Sequence, residues 1–431
     1  MAMHTIPVPP GLNTRFFIMG ENILGEIPEL WRSAFPGFSP FLVADDNTWN
    51  AAGAQVAEIL RQAGIAFPEP VIFPGTPRLH ADIAHSRELA PKLPPKHAFL
   101  AIGSGVINDL CKCAGGMTST PYCCVATAPS VDGYTSDGAA LAVDGFKQTV
   151  RCPAPLALAA DTAVLRSAPA KMLAAGYADL VSKVPAGTEW CIGDLLGLEP
   201  LRPDVWEIIH RDLRKWIADS HNLEHVFGGL AATGYSMQMM LDSRPASGAE
   251  HLMSHVWEMN GLAVDGEEVS HGFKVAIGIL VSAKLFEHLR RLEPAEIRRL
   301  AVVPATRGER FEEVKRVAAA SGIGEAAVNV AMKKFLEPAA MLARREALLS
   351  QWEKVCAIID REMLSFAELR DLFLKAGVPT RPAEIGLHEA MFYHGVHGAQ
   401  LMRIRYTILD IYYELGLFPL VDGIVRPLLQ K

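Results

Sequence analysis

The sequence predicts a two-domain protein: an α/β domain with a mostly parallel sheet over residues 1–162, followed by an all-helical domain over residues 163–431. Three observations carry this expectation. Short apolar runs alternate with helical stretches as far as residue 160, the pattern of strands joined by crossover helices. The strand signal stops after Asp161. A chain of 431 residues is also longer than one ordinary hydrophobic core sustains.

The apolar runs lie at residues 15–19, 41–44, 70–73, 98–102, 122–126, 139–143 and 156–160. Several end in Gly, Asp or Pro, as buried strands do. Between them, residues 51–63 and 81–89 read as helices, so helices are expected on both faces of the sheet. Pro169 suits the first turn of a helix, and beyond it apolar residues recur at helical spacing to the end of the chain. The charge-rich stretches 288–299 and 309–316 read as solvated helix faces, and residues 237–241 as core packing.

Composition removes several function classes. Half of the residues are hydrophobic (50%) and 21% are charged, as in a globular protein. The net charge of −7, from 41 basic and 48 acidic side chains, argues against a nucleic-acid partner. No apolar stretch reaches the roughly 18 residues of a membrane span, and the N-terminus shows no signal peptide. Seven cysteines without C-x-x-C spacing, four of them at Cys111, Cys113, Cys123 and Cys124, read as reduced thiols of a cytoplasmic protein.

The strongest signal in the first half is Ala98-Phe-Leu-Ala-Ile-Gly103-Ser-Gly105-Val-Ile-Asn-Asp109-Leu-Cys-Lys112. A strand runs into two glycines and then a helix, whose free N–H groups and partial positive charge suit a pyrophosphate. Asn108 stands where the third glycine of G-x-G-x-x-G would be, so a tight structural turn is the competing reading. An earlier strand ends in Asp45 and Asp46, where dinucleotide folds place an acid on the ribose hydroxyl. Such acids repel a 2′-phosphate and favour NAD over NADP; solubilising loop acids are the bland alternative. After another strand, Thr127-Ala-Pro-Ser130-Val-Asp132-Gly133-Tyr134-Thr-Ser136 is rich in polar groups, at a strand end where ligands bind in open α/β sheets.

The helical half offers acid and imidazole groups in apolar contexts. Asp179 lies in Ala174-Ala-Gly176-Tyr-Ala178-Asp179-Leu180. His251 and His255 fall at i and i+4 in Glu250-His251-Leu-Met-Ser-His255-Val-Trp257-Glu258, on one helix face. His271 opens a further helix. Asp, His and His form a natural three-ligand set for zinc with a fourth position open to substrate. Each alone also fits a satisfied core residue. His388, His394 and His397 are weaker candidates for a second site.

The order of these motifs resembles the iron-containing alcohol dehydrogenase and dehydroquinate synthase superfamily, and within it the sn-glycerol-1-phosphate dehydrogenases, especially the bacterial type. The matching stretches are GSGVINDLCK, TAPSVDGYTS, APAKMLAAGYADLVSK, SGAEHLMSHVWEM and SHGFKVAIG, running from about residue 98 to residue 280. The resemblance implies a Rossmann-like domain followed by a helical one, the dehydroquinate synthase-like fold, with NAD(P) in the cleft between domains. By the same resemblance Gly103, Gly105, Val106, Ile107, Asn108 and Asp109 hold the pyrophosphate. Thr127, Ala128, Pro129, Ser130 and Ser136 line the nicotinamide side, and Asp45 holds the adenosine ribose. Asp179, His251 and His271 match the metal ligands. His255 and Asp132 match the catalytic and substrate-contacting groups, with Asp179 also beside the substrate. Ser104 replaces the middle glycine of the family's turn, and residues 290–431 carry no sharp motif. Arg403 or Arg405 of this part is the candidate for phosphate recognition.

The expected activity is an NAD(P)-dependent oxidoreduction of a small phosphorylated polyol or ketone, dihydroxyacetone phosphate against sn-glycerol 1-phosphate, placed in phospholipid biosynthesis. One divalent metal acts as Lewis acid on the C2 oxygen, with zinc the first choice and nickel or iron fitting the same donors. A cytoplasmic homo-oligomer is expected. Glycerol dehydrogenase and a dehydroquinate-synthase-like lyase or cyclase are the rivals within the superfamily. An NAD-sensing binding protein is the rival outside enzymes.

Overall fold

A computed structural model describes residues 3–143 and 146–430. The first part of the chain forms β1 (Phe16–Gly20), β2 (Ser39–Asp45), β3 (Val71–Phe73), β4 (His97–Gly103), β5 (Tyr122–Ala126), β6 (Ala139–Val143), β7 (Phe146–Val150) and β8 (Ala157–Asp161). Six of these make one sheet in the order β1-β8-β5-β4-β2-β3. All of its neighbours are parallel. Such strands are covered on both faces, so their sequences are continuous apolar runs rather than alternating ones. The alternation is in the packing instead. Phe17, Phe41, Phe99, Cys124 and Leu158 enter one core, while Ile18, Leu42, Leu100, Cys123 and Ala159 enter the other.

Each run read as a strand from the sequence forms one, with one difference in pairing. β6 leaves the sheet and pairs antiparallel with β7. The sequence pattern missed β7 because Phe146-Lys-Gln-Thr-Val150 carries no apolar run. Because β2, β4 and β5 are adjacent and parallel, their C-terminal ends share one edge of the sheet. That edge gathers Asp45, Gly103 and Thr127.

The chain divides into two compact units, Met1–Leu180 with Glu207–Asp242, and Val181–Trp206 with Ser243–Lys431. This differs from a division at 162/163. The helices Ala170–Val181 and Leu223–Met240 pack largely with the sheet region. Phe227 places its ring 6.2 Å from that of Phe17 and 5.3 Å from that of Tyr134. A Cβ on Gly234 would lie 2.0 Å from Thr135 Oγ1, so only glycine allows that helix to dock here. Such docking leaves no periodic signal, whereas the end of the strand pattern does.

Among the described residues the second unit is helical, as expected, with one short hairpin, Ala263–Val264 against Glu267–Glu268. Its central helix, His271–Arg290, is buried along most of its length. It crosses the helix Ala249–Met259 closely, because a Cβ on Gly278 would lie 2.5 Å from the Glu250 carbonyl oxygen. Among the described residues, no helix is long and apolar enough to cross a membrane.

Candidate functional site

β4 ends at Gly103, and the helix Gly105–Thr118 starts almost at once. Gly103 is required by packing: a Cβ there would lie 2.4 Å from Ile107 Cβ. No side chain caps this helix, and its first turn holds no acid. The N–H groups of Gly105, Val106 and Ile107 therefore head a 14-residue helix with an open end, which attracts anions. The side chains of Asn108 and Asp109 point elsewhere. Asn108 is buried and accepts from the Tyr122 hydroxyl at 3.0 Å. Asp109 accepts from the Ala140 N–H at 3.2 Å. At the end of β2, Asp45 accepts from the Thr48 N–H at 2.9 Å, and Asp46 accepts from the Gly75 N–H at 2.9 Å.

The loop after β5 is held from several sides. The Thr127 N–H donates to the Gly103 carbonyl at 3.1 Å. The Tyr134 hydroxyl donates to the Ala128 carbonyl at 2.6 Å. Lys112, fully buried, donates to the Gly133 carbonyl at 2.7 Å, the Gly138 carbonyl at 3.0 Å and Ser136 Oγ at 3.3 Å. Burial lowers the Lys112 pKa, and the carboxylate of Asp109 pulls it back up. Ser136 is thus enclosed in this clamp, while Ser130 is half-buried. Lys112 went unassigned in the sequence because a lysine at a helix face normally signals solvent, not a buried clamp.

The helix Ala170–Val181 lies directly on this loop. A Cβ on Gly176 would fall 1.5 Å from the Pro129 carbonyl oxygen. One turn later, fully buried Asp179 accepts from the Asp132 backbone N–H through Oδ2 at 2.9 Å. Asp132 opens the short helical turn Asp132–Thr135.

His251 and His255 lie on the helix Ala249–Met259, and His271 begins the helix His271–Arg290. The ring centroids of His251 and His271 are 5.3 Å apart, those of His255 and His271 5.8 Å, and those of His251 and His255 6.4 Å. Asp179, His251 and His271, 72 and 20 residues apart in sequence, each offer a donor atom, and these all lie within 4.8 Å of one another.

Each imidazole is held at Nδ1 by a glutamate. His251 Nδ1 pairs with Glu250 Oε1 at 2.8 Å. Glu258 serves two rings at once, His271 Nδ1 through Oε1 at 2.9 Å and His255 Nδ1 through Oε2 at 3.2 Å. Buried Lys274 lies 3.1 Å from Glu258 Oε1 and balances its charge. A carboxylate on Nδ1 favours the tautomer with its proton there, leaving Nε2 as the ligand or acceptor atom. Burial pushes the His255 pKa down to about 4, against the upward pull of Glu258. Sequence reasoning missed Glu258, although its position three residues after His255 and seven after His251 puts it on the same helix face.

Two weaker candidates have structural employment. His388 caps the helix Glu389–Ala399 through Nδ1, accepting from the Met391 N–H at 3.3 Å, and His397 Nε2 pairs with Asp422 at 2.7 Å. Asp179, His251 and His271 gather as one group, and His394 is exposed.

Comparison with known proteins follows the same lines. A family model described as iron-containing alcohol dehydrogenase matches residues 18–169. The glycerol-1-phosphate dehydrogenase [NAD(P)+] of Halalkalibacterium halodurans is 34% identical over 283 residues, 63% of this chain and 71% of that protein. The enzyme of the same name from Geobacillus thermodenitrificans is 32% identical over 263 residues, 58% of this chain; the chain spans 64% of that relative's length. Among solved structures, the NADH-dependent butanol dehydrogenase A of Thermotoga maritima superposes with a TM-score of 0.57 at 17% identity, over 96% of this chain and 99% of that one, and shares the fold.

Proposed function

The chain belongs to the glycerol-1-phosphate dehydrogenase family, and on that premise we propose that it interconverts dihydroxyacetone phosphate and sn-glycerol 1-phosphate, using NAD or NADP and one divalent metal. The observation that carries this reading is the donor set of Asp179, His251 and His271, drawn together from distant parts of the sequence. The set fits a divalent cation chemically. It offers one carboxylate and two imidazoles, and the Nδ1 atoms of both rings are already engaged by glutamates. Zinc suits these donors first, since hydride transfer needs no metal redox change; nickel and iron fit them as well.

When bound, the metal supplies Lewis-acid polarisation of the C2 oxygen, and the nicotinamide supplies or takes up the hydride. The chain's own residues do the rest. Glu258 keeps a proton on Nδ1 of His255, so His255 Nε2 can accept the C2 hydroxyl proton during oxidation and return it during reduction. Asp132 orients the polyol. The open helix end at Gly105, Val106 and Ile107 receives the pyrophosphate, with Gly103 giving the close turn and Thr127, Ala128, Pro129 and Ser130 shaping the nicotinamide side. Asp45 holds the ribose, and with Asp46 beside it favours NAD over NADP. Seven free thiols suit a reducing, cytoplasmic setting.

The test is an assay of the purified protein, loaded in turn with zinc, nickel and iron, following NADH formation from sn-glycerol 1-phosphate, sn-glycerol 3-phosphate and glycerol. Turnover of the first with marked preference over the other two is expected. Oxidation of glycerol alone, under every metal, would overturn the reading.

A further inference from the structure

We propose that a cavity within the second unit binds a compact organic oxyanion, a phosphate or carboxylate group on an apolar body, with Arg344 and Lys333 as its charged contacts. The cavity measures about 260 Å³, and all of its lining residues belong to that unit. It lies beyond residues 18–169, which the family model matches, and draws mostly on the part of the chain in which the sequence shows no sharp motif. None of the side chains given a role in the proposed reaction lines it.

Its walls carry the opposite sign of charge to the chain as a whole. Arg310, Lys333, Lys334, Arg344 and Arg405 line it together with Glu199, Asp410 and Glu414, five cations against three acids, in a protein whose net charge is −7. All three acids are already engaged. Glu199 pairs with Arg244 and accepts from the Tyr406 N–H at 2.9 Å. Asp410 pairs with Lys334 and accepts from Gln400 Nε2 at 2.8 Å and the Thr407 N–H at 2.9 Å. Glu414 pairs with Arg344 at 3.2 Å and accepts from the Tyr406 hydroxyl at 2.8 Å. Burial pushes its carboxyl up to about 7, against the pull of Arg344, so it offsets less positive charge than an ordinary glutamate.

The cations are not all spent. Arg310 donates to Glu313 at 2.8 Å and to Gln400 Oε1 at 2.7 Å, and lies 4.1 Å from the centre of the Tyr413 ring. Arg405, a candidate for phosphate recognition from the sequence, gives its fork to Ser243 and Ser247. Arg344 is different. Its side chain is only 25% exposed, yet its one hydrogen bond among the described residues runs from Nη1 to Glu414, which leaves Nε and Nη2 for a ligand. Lys333 is exposed and has no protein partner among the described residues. A sheltered surplus of positive charge is costly unless an anion offsets it. A guanidinium meets phosphate or carboxylate oxygens through parallel N–H bonds. Phe335, Leu336, Met341 and Ile404 line the same space and suit an apolar body beside the anionic group.

The experiment titrates phenyl phosphate, benzoate and a neutral control, benzyl alcohol, into wild type, Arg344→Ala, Arg344→Lys and Lys333→Ala by calorimetry, and follows thermal melting with each compound. The anions should bind wild type and raise its melting temperature, the tighter one naming the head group, while benzyl alcohol does neither. Arg344→Ala should weaken binding by roughly 10- to 100-fold, the loss of a charged hydrogen bond. Glu414 takes up a proton readily once Arg344 is gone, so the variant leaves no bare buried charge. Arg344→Lys should retain part of the affinity, since it keeps the charge but not the fork. Lys333→Ala alters an exposed side chain and should weaken binding by about threefold. In every variant kcat/KM for sn-glycerol 1-phosphate should stay within about twofold of wild type. Wild type that binds neither anion would overturn the proposal, as would wild-type affinity in both alanine variants. A fall in kcat/KM that tracks the lost affinity would overturn it too, because the cavity would then be the substrate's own site.

Discussion

The backbone N–H of Asp132 donates to the carboxylate of Asp179 at 2.9 Å. Through this bond the loop that follows β5 orients one oxygen of the proposed metal-binding carboxylate. The helix bearing Asp179 comes this close because Gly176, one turn earlier, has no side chain to hold it off the Pro129 carbonyl. The position of this proposed ligand is thus set by a glycine that is not part of the proposed donor set.

Gly176→Ala tests that dependence. Its Cβ would fall 1.5 Å from a backbone oxygen, which cannot rotate away, so helix and loop must separate. Overpacking of this kind costs roughly 1–3 kcal/mol. A lower melting temperature together with weaker zinc binding, by about tenfold, is expected. Unaltered zinc affinity in a calorimetric titration would show that the loop does not orient Asp179.

Glu258→Gln should weaken metal binding without unfolding the protein. A carboxylate can accept from both His255 and His271, as Glu258 does at 3.2 and 2.9 Å. An amide has one acceptor oxygen, so one ring loses its partner. Losing an outer partner of a ligand histidine typically costs about 10- to 100-fold in metal affinity. Competition against a chelator measures this directly, and a wild-type metal dissociation constant would refute it.

His255→Ala separates a ligand from a proton-handling group. Four protein ligands would close the site, whereas Asp179, His251 and His271 alone would leave a position open to a substrate oxygen. The variant should therefore keep its metal at wild-type stoichiometry and lose about 10²-fold or more in kcat/KM. Elemental analysis decides the matter: a protein emptied of its ion would make His255 a ligand.

Glu414 should give stability a pH dependence. Burial pushes its carboxyl up to about 7, opposed by Arg344, the Tyr406 hydroxyl and Lys334 and aided by Asp410. The folded state then holds this proton more tightly than the unfolded state, whose value stays near 4.5. Its stabilising contribution is complete below about 4.5, declines as pH rises toward 7 and is absent above. The full difference is roughly 3 kcal/mol. Urea unfolding near pH 5 and pH 8 should show wild type losing stability relative to Glu414→Gln over that interval. Parallel curves for the two proteins would contradict it.

Much of the fold was legible because parallel strands buried on both faces must be continuously apolar, and those of β4 and β5 are. The pairing of His251 with His255 on one face was legible because four residues make about one helical turn. β7 was not, since a hairpin outside the main sheet needs no apolar run. Neither was the inward turn of Asn108 and Ser136, whose side chains meet Tyr122 and Lys112.

By itself, then, the sequence determined the order of strands and helices, the glycine turn after β4 and the types of side chain available for metal chemistry. These depend on local period and on chemical identity, both written residue by residue. Only the tertiary structure decided which of those side chains meet. Glu258 gripping two histidines, Arg405 spent on Ser247 while Arg403 is left exposed, and Asp179 fastened to the Asp132 backbone all depend on how closely separate helices and loops can dock. That closeness is set at points such as Gly176 and Gly278, where the absence of a single Cβ lets two backbones touch.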